Sequence, residues 1–357
     1  MSLPVSPAVS RPFPVDITVA IVAHNAVRHL PDVVGALRAA GCRDAKMLVV
    51  DVASTDGLRD WLQANAAGAD YVRLDRNDGP SPGRNVGIRH ASDRYVLLMD
   101  ADVMIEPAAV QMLHAEMERD PTIAIGSPVV VYDDRPDVIQ YAGTDLHYIC
   151  EAINPYIDRP LAARGNDARD IGVASTCALL LDREKALAIG PFDERYFIGK
   201  EDGDFTHRAK LAGYKILELP AARVRHRVKS RSNWLFYYQI RNRWHFLLKN
   251  YQVSTLLLIL PVLLVHEALQ AVVLVLKGHG LTYLKAVGGL VAMLPALPAD
   301  RALTRRIRVR RDGEVLKAGP LVVRSDLSGG SFGSRALAVY QGMLNGYWRL
   351  LVRAGLV

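Results

Sequence analysis

The sequence predicts an α/β fold: a mostly parallel sheet with helices on both faces. Short apolar, β-branched runs recur at ITVAIVA (17–23), KMLVVD (46–51), YVRLD (71–75) and YVLLMD (95–100). Helical patterns separate them, near 31–40, 58–66 and the segment opened by GPSPGRNVGIRHAS (79–92). Strands that alternate with helices in this way build parallel sheets covered on both sides. The runs end in polar groups: His24 and Asn25, Asp51, and Asp100-Ala101-Asp102. In such sheets ligands bind beyond the carboxyl ends of the strands. Any one of these residues is readily explained as a turn former or helix cap. Three such strand ends at one edge point instead to a site.

The elements follow in order. Prolines at 4, 7, 12 and 14 and the lack of a continuous apolar run make residues 1–14 a disordered tail without a signal peptide. The α/β part is then expected to stay in the cytosol. From 121 to 182 the pattern is less regular, except GVASTCALLLD (172–182), which reads as a buried strand. A helix over 202–211 stops at Gly213, and KILELP (215–220) is a short strand. The 3 cysteines, Cys42, Cys150 and Cys177, are widely spaced and form no CxxC, so neither a disulfide framework nor a zinc site is expected. A reducing compartment fits this usage. The formal charge of +7 suits a polyanion or an anionic lipid surface.

Four groups of residues carry chemistry. Asp100 and Asp102 close an apolar strand, and two carboxylates held together ask for a hard divalent cation. Glu201, Asp202 and Asp204 open a helix, where the dipole favours negative charge. One acid suffices for capping; three allow one to act as a general base on a hydroxyl. Gly83-Arg84-Asn85, with Gly79 and Gly87, offers close backbone approach and a guanidinium fork suited to phosphate. There is no GxGxxG and no GxxxxGK[ST], so neither a dinucleotide fold nor a P-loop is supported. His226, after KILELP and within RVRHRV, is a residue type that ligates Mn²⁺ better than Mg²⁺.

Together these segments resemble glycosyltransferase family 2, the inverting enzymes of the GT-A fold. The resemblance covers about residues 17–250, through VAIVAHN, VVDVASTDG, GPSPGRNVGIRHASDRYVLLMDAD, GPFDERYFIGKEDGDFTHRAKLAGYKI and VRH. It implies a nucleotide-sugar donor and a divalent metal, Mn²⁺ or Mg²⁺. It implies that Ala23, His24, Asn25 and Asp51 hold the nucleotide base, and that Arg84 lies near the diphosphate. Asp100 would reach the ribose and the ion shell, Asp102 would bind the metal, and His226 would complete the metal site. Asp202 matches the catalytic base. Two positions depart from the family pattern: Val52 stands where an amide or acid is common, and Gly203 where an aliphatic residue is usual.

Composition changes after Pro220. Residues 221–250 carry many arginines and lysines and no acid, and aromatics are interleaved from Trp234 to Tyr251, a mixture expected in the headgroup zone of a membrane. Apolar runs follow at 253–276 and 281–298, joined by KGHG, and then an arginine-rich stretch from Arg301 to Arg311. The first run is long enough to cross a bilayer. It contains Glu267, and a charge at the centre of a span costs about 2.5–3.5 kcal/mol on insertion scales. With basic flanks on both sides, either a hairpin or a shallow interfacial pair of helices keeps both flanks in the cytosol. The shallow form is favoured because it spares Glu267 and Lys285 from lipid.

The expected organisation is a tail (1–14), a GT-A domain (15–228) and a basic, aromatic and apolar membrane-associated region (229–357). The expected activity is transfer of one sugar to a lipid-linked or cell-envelope glycan acceptor at the cytoplasmic face of the membrane. Nucleic acid is not an expected partner, because long apolar runs adjoin the basic stretch. A processive polysaccharide synthase is the alternative, but Gln239 to Trp244 reads Q-x-x-x-R-W rather than the Q-x-x-R-W of that class. A non-catalytic membrane scaffold is the other alternative. Ser334–Arg353 is expected to add one more amphipathic helix, for membrane or self-association.

Overall fold

The computed structural model describes residues 12–228, 233–321 and 330–357. Most of the expected tail (1–11) and two basic residues, Lys229 and Arg231, lie outside the described residues. The strands are β1 (Ile17–Ala23), β2 (Met47–Val52), β3 (Asp70–Leu74), β4 (Tyr95–Asp100), β5 (Val103–Ile105), β6 (Ile123–Tyr132), β7 (Ile139–Tyr141), β8 (Asp145–Leu146), β9 (Ala152–Ile153), β10 (Arg169–Asp170), β11 (Ala178–Asp182) and β12 (Lys215–His226). The helices of the first two-thirds are α1 (Leu30–Ala39), α2 (Leu58–Asn65), α3 (Pro80–His90), α4 (Ala109–Arg119), α5 (Arg183–Ala188) and α6 (Glu201–Leu211). Then come α7 (Leu235–Asn250), α8 (Val253–Leu276), α9 (Gly280–Met293), α10 (Leu297–Ile307), α11 (Asp312–Val315) and α12 (Gly330–Arg353).

The main sheet has the order β10-β12-β6-β11-β4-β1-β2-β3, with β5 on β12 and β7 on β6. The expected parallel character holds for the half formed by β4, β1, β2 and β3. Beyond β4 the sheet is mixed, because β11 enters antiparallel between β4 and β6. The near-continuous apolar runs follow from burial on both faces. On one face α1, α2 and α4 pack through Leu37, Leu62 and Leu113. On the other, α3, α5 and α6 pack through Ile88, Ala186 and Phe205.

Two expectations about local structure are corrected. Only Ala178–Asp182 of the 172–182 run is strand. The stretch before it is a loop tied down by side contacts: Gly172 and Val173 donate to the Thr144 carbonyl at 3.1 and 3.2 Å, and the Ala174 N–H donates to Thr206 Oγ1 at 3.3 Å. The short strand expected to end at Pro220 instead runs on to His226, with a register shift between Leu219 and Arg223 that absorbs the proline. His226 is therefore held inside the sheet.

The region after 234 also differs from a simple headgroup-zone reading. In α7, Asn242, Arg243, His245, Lys249 and Asn250 are buried. They reach back to the α/β domain: Lys249 Nζ bonds Asp193 Oδ2 and Asp204 Oδ2, each at 3.0 Å, and Asn242 donates to the carbonyls of Tyr196, Ile198 and Gly199. The next helices do expose apolar side chains. By length and composition two helices could cross a membrane, Val253–Leu276 and the continuous stretch Gly280–Ile307. Glu267, in the middle of α8, turns inward to Arg243 and to Trp244 Nε1. Lys285 is exposed. The helix expected over 334–353 is present as α12.

Candidate active site

Three strand ends and one helix start meet at one edge of the sheet. At the first, the loops after β1 and β2 are laced together. The Asn25 N–H donates to Ser54 Oγ at 3.0 Å, and Asn25 Oδ1 accepts from the Thr55 N–H at 2.8 Å. Asn25 itself has φ 49°, a left-handed conformation that asparagine tolerates. His24 Nδ1 lies 2.6 Å from the Val52 carbonyl oxygen. Ala23 is buried under this loop.

Asp51 is fully buried. Its Oδ1 accepts from the Ser54 N–H at 2.7 Å, and its Oδ2 accepts from Tyr71 Oη and Arg73 Nη1, each at 2.6 Å. Burial raises its pKa, but the bonds from Ser54, Tyr71 and Arg73 outweigh this and hold it below the usual carboxylate range. A cleft of about 280 Å³ opens here, lined by Asp51, Ser54, Thr55, Arg59, Tyr71 and Arg73 among others. Asn25 and Ala23 shape the loop beside the cleft and do not line it. Tyr71, Arg73 and Ser54 were not singled out in the sequence. β3 reads as an ordinary strand, and only its register against β2, with Asp51 opposite Arg73, brings them to the carboxylate.

The glycines of α3 serve packing. A Cβ at Gly83 would lie 2.7 Å from Val22 Cγ1, and one at Gly87 would lie 2.9 Å from Ala20 Cβ. They let α3 sit directly on β1 and β2, which corrects the expectation that they clear space for phosphate. Val52, the first departure from the family pattern, is buried against this same contact. Arg84 is carried on α3 and is itself buried. Its Nη2 bonds Asp100 at 3.1 Å and its Nη1 bonds Glu201 at 3.4 Å. Burial alone would lower the Arg84 pKa; the carboxylates of Asp100, Glu201 and Asp202 more than reverse it. Arg84 thus joins the acidic strand end to the start of α6.

β4 ends at Asp100, and Ala101 and Asp102 form a turn into β5. The turn, rather than strand alternation, presents both acids at one edge. Burial, and then the repulsion of Asp102, raise the Asp100 pKa against the pull of Arg84. β12 lies antiparallel to β5 with His226 opposite Val103. This sets His226 Nε2 3.6 Å from Asp102 Oδ1, while Nδ1 meets Gln140 Oε1 at 2.8 Å. The imidazole is thus turned to Asp102, while Asp100 is bonded to Arg84, so the ligand atoms of the three are not gathered at one point.

At the start of α6, the two acids divide their roles. Glu201 is buried on Arg84, and its pKa is pushed up to about 7 by burial and by the charge of Asp202. Asp202 lines a second cavity of about 90 Å³, with Tyr141, Thr144, Leu146, Ala152, Val173, Ala174, Ser175, Lys200, Gly203 and Phe246. Asp204 is turned to the other side, against Arg208 and Lys249. Gly203, the second departure, faces the Phe246 ring of α7, which a Cβ there would meet at 3.8 Å. The helix thus gains from α7 the packing that an aliphatic side chain would give.

The fold is an α/β sheet of the GT-A type, with polar groups gathered at its strand ends. Residues 18–184 match the family model Glycosyl transferase family 2. The match makes this part of the chain similar to that family; Asp202 and His226 lie beyond the matched segment. The chain is similar to Succinoglycan biosynthesis protein ExoO of Rhizobium meliloti (strain 1021), at 28% identity over 138 residues. That match spans 38% of this chain and 38% of that protein. Among solved structures, the fold is similar to GalNAc-T7 with UDP, GalNAc and Mn²⁺, with a TM-score of 0.54 and 16% identity, over 66% of this chain and 48% of that one. It is also similar to S. aureus TarS, with a TM-score of 0.53 and 16% identity, over 91% of this chain and 54% of that one. For TarS 1–349 in complex with UDP the TM-score is 0.51 and the identity 15%, over 94% of this chain and 91% of that one.

Proposed function

We propose that this chain is an inverting glycosyltransferase that moves one sugar from a nucleotide-sugar donor to a hydroxyl of a lipid-linked or cell-envelope glycan acceptor. It works at the cytoplasmic face of the membrane, with the α/β domain (15–228) in the cytosol and the region 229–357 attached to the lipid surface. The observation that carries the reading is that Arg84 joins Asp100, at the acidic strand end, to Glu201, whose neighbour Asp202 lines a cavity. The acceptor hydroxyl gives its proton to Asp202, and its oxygen bonds the anomeric carbon. The bond from that carbon to the diphosphate breaks, and the nucleoside diphosphate leaves from the opposite face. Asp51 and the cleft around it hold the base, with Ala23, His24 and Asn25 in the loop beside it. Arg84 keeps Asp100 oriented toward the diphosphate side. Asp100, Asp102 and His226 would hold a divalent cation, which supplies positive charge to the leaving diphosphate. The solved GalNAc-T7 structure contains UDP and Mn²⁺, which supports this donor chemistry.

The lipid-linked acceptor is supported by the cavity wall. Leu146, Val173 and Phe246 belong to one apolar cluster with Ile259 and Leu263 of α8. An acceptor held by its lipid near α8 is thus close to Asp202. Single transfer, rather than processive synthesis, is supported by Arg243 and Trp244: both are engaged with Glu267 of α8. The reading is tested by nucleoside diphosphate release from uridine, thymidine and guanosine diphosphate sugars, with and without polyprenyl-diphosphate-linked glycans. Release that requires such an acceptor supports it. Release indifferent to every acceptor contradicts it, and the scaffold reading takes over if no donor is turned over at all.

A further inference from the structure

We propose that neither apolar helix crosses a membrane: α8, α9 and α12 form a raft that lies in one leaflet of an anionic bilayer and keeps the α8–α9 turn on the same side as the α/β domain. This deepens the lipid attachment proposed above and rests on it, independently of the transfer chemistry. The deciding feature is the inner face of α8. Thr255, Ile259, Leu263 and Leu274 are buried, and Glu267 and Gln270 both meet Arg243 of α7. Steps of three and four residues put all six on one side of the helix. From Thr255 to Leu274 that side runs roughly 28 Å, nearly the whole of a bilayer core of about 30 Å.

That side is seated on protein along its length. Ile259 and Leu263, in the middle of α8, share an apolar cluster with Leu146, Tyr148 and Val173 of the α/β domain. Leu274, near the end, packs with Phe236 and Ile240 of α7. The second apolar stretch is tied down in the same way. A Cβ at Gly289 of α9 would run into Tyr237 Oη of α7. Beyond α9, Asp300 of α10 accepts from Arg195 Nη2 at 2.6 Å, and Thr304 Oγ1 donates to Asn250 Oδ1 at 3.2 Å. An upright α8 would therefore carry a flank of the α/β domain to the middle of the hydrocarbon. Irregular backbone and charged side chains are not tolerated against lipid at that depth. Lying flat, the same helix keeps all of these contacts.

The outer faces supply the lipid contact. Leu257, Leu264 and Val275 are exposed and fall on one outward line of α8. α9 exposes Leu281, Leu284 and Val291. α12 lies beside α8, with Tyr347 Oη donating to the Leu258 carbonyl at 2.6 Å, and exposes Val339, Met343 and Leu350. Charge selects the occupant. α9 and α12 contain no acid, and the one acid of α8, Glu267, faces inward. Lys277, Lys285, Arg349 and Arg353 are exposed. An apolar surface across three helices, accompanied by cations, matches acyl chains under anionic headgroups. A second copy of the chain would bring the same cations against these.

The test uses the full chain in vesicles of phosphatidylcholine and phosphatidylglycerol. Cys42, Cys150 and Cys177 are buried, so nitroxide labels report single introduced cysteines: Leu257→Cys, Leu264→Cys and Val275→Cys. All three replace exposed side chains, so the fold is retained. Electron paramagnetic resonance reads their depth from contact with oxygen and with a water-soluble nickel chelate. An interfacial helix sinks about 5–10 Å, so we expect the three labels at one common depth in that range. A label at Leu264 near the bilayer centre, with the other two shallower, is a span; it overturns the proposal and leaves the lipid attachment standing. The second readout is the α8–α9 turn in spheroplasts of an expressing bacterium. Lys277→Cys and Glu184→Cys of the α/β domain should share one response to a membrane-impermeant maleimide, before and after lysis. Labelling of one without the other before lysis overturns the proposal. Labels that meet no lipid, with Leu264→Cys cross-linking between copies, overturn the raft and the attachment together.

Discussion

The donor-side edge and the seat of α6 are held by different forces. Around β1, β2 and β4, parallel ladders and apolar side chains buried on both faces fix the strand ends. Around α6, the contacts are ionic and buried. Asp204 takes Arg208, Lys249 and Asn250, while Asp193 takes Lys249 and Arg195. An apolar core gives up stability in small steps as volume is removed. A buried ion network does not, because taking one partner leaves the other charged and dry. The difference lies in how the second edge is aimed: α7 supplies the cation and the amide that clamp the helix bearing Asp202. Asp202 therefore depends on a segment more than 40 residues away in sequence.

The largest effect expected is on chemistry. Asp202→Asn should lower transfer by about 10²–10⁴-fold, the usual contribution of a general base, and leave nucleotide binding intact. Loss of both in a binding and turnover comparison would give Asp202 a different role. Next is the clamp. Lys249→Met should destabilise the fold by about 1.5–3 kcal/mol, since Asp193 and Asp204 lose their shared cation but keep Arg195 and Arg208; chemical denaturation measures it. A loss no greater than that of a surface substitution would show that the clamp is not buried as described. On the donor side, Gly83→Ala should cost about 1–3 kcal/mol by pushing α3 off β1 and β2. A neutral effect there would mean that the helix has room to spare.

The smallest effect is a pH slope. Glu201 binds its proton up to about pH 7 when folded, well above its ordinary value of 4.5. Between those values the folded state holds a proton that the unfolded state has released. Stability contributed by this group is therefore full below about pH 4.5 and falls as pH rises to about 7. Thermal unfolding across that window should lose this component in Glu201→Gln. An identical slope in both proteins would mean that Glu201 is ionised throughout.

Much of the donor side was legible in the sequence, because local pattern and topology agree there. Alternating apolar runs and helices placed Asp51, Asp100 and Asp102 at strand ends without any long-range knowledge. The limits were of three kinds. Register brought Tyr71 and Arg73 to Asp51, and register across β2 and β3 is not written in either strand alone. A bulge in β7 sets Gln140 beside His226, and nothing in Ile139–Tyr141 announces an extra residue. Finally, the basic and aromatic segment before α8 read as a headgroup-zone element, whereas Arg243, His245 and Lys249 are buried. Composition showed these residues but not the carboxylates that partner them, Glu267 for Arg243, Asp300 for His245, and Asp193 and Asp204 for Lys249, which lie 24 to 56 residues away in sequence. The cavity at Asp202 likewise depends on distant segments, since its wall joins Tyr141, Val173 and Phe246.

The central claim is that the acidic strand end binds a nucleotide through a divalent cation. Calorimetric titration of uridine, thymidine and guanosine diphosphates into the detergent-purified chain, with and without Mn²⁺, tests it most directly, with Asp102→Ala as the control. The account predicts that one nucleotide class binds, that binding strengthens with Mn²⁺, and that the metal effect disappears in Asp102→Ala. Binding equally strong without metal, or a metal effect that survives in Asp102→Ala, would contradict it.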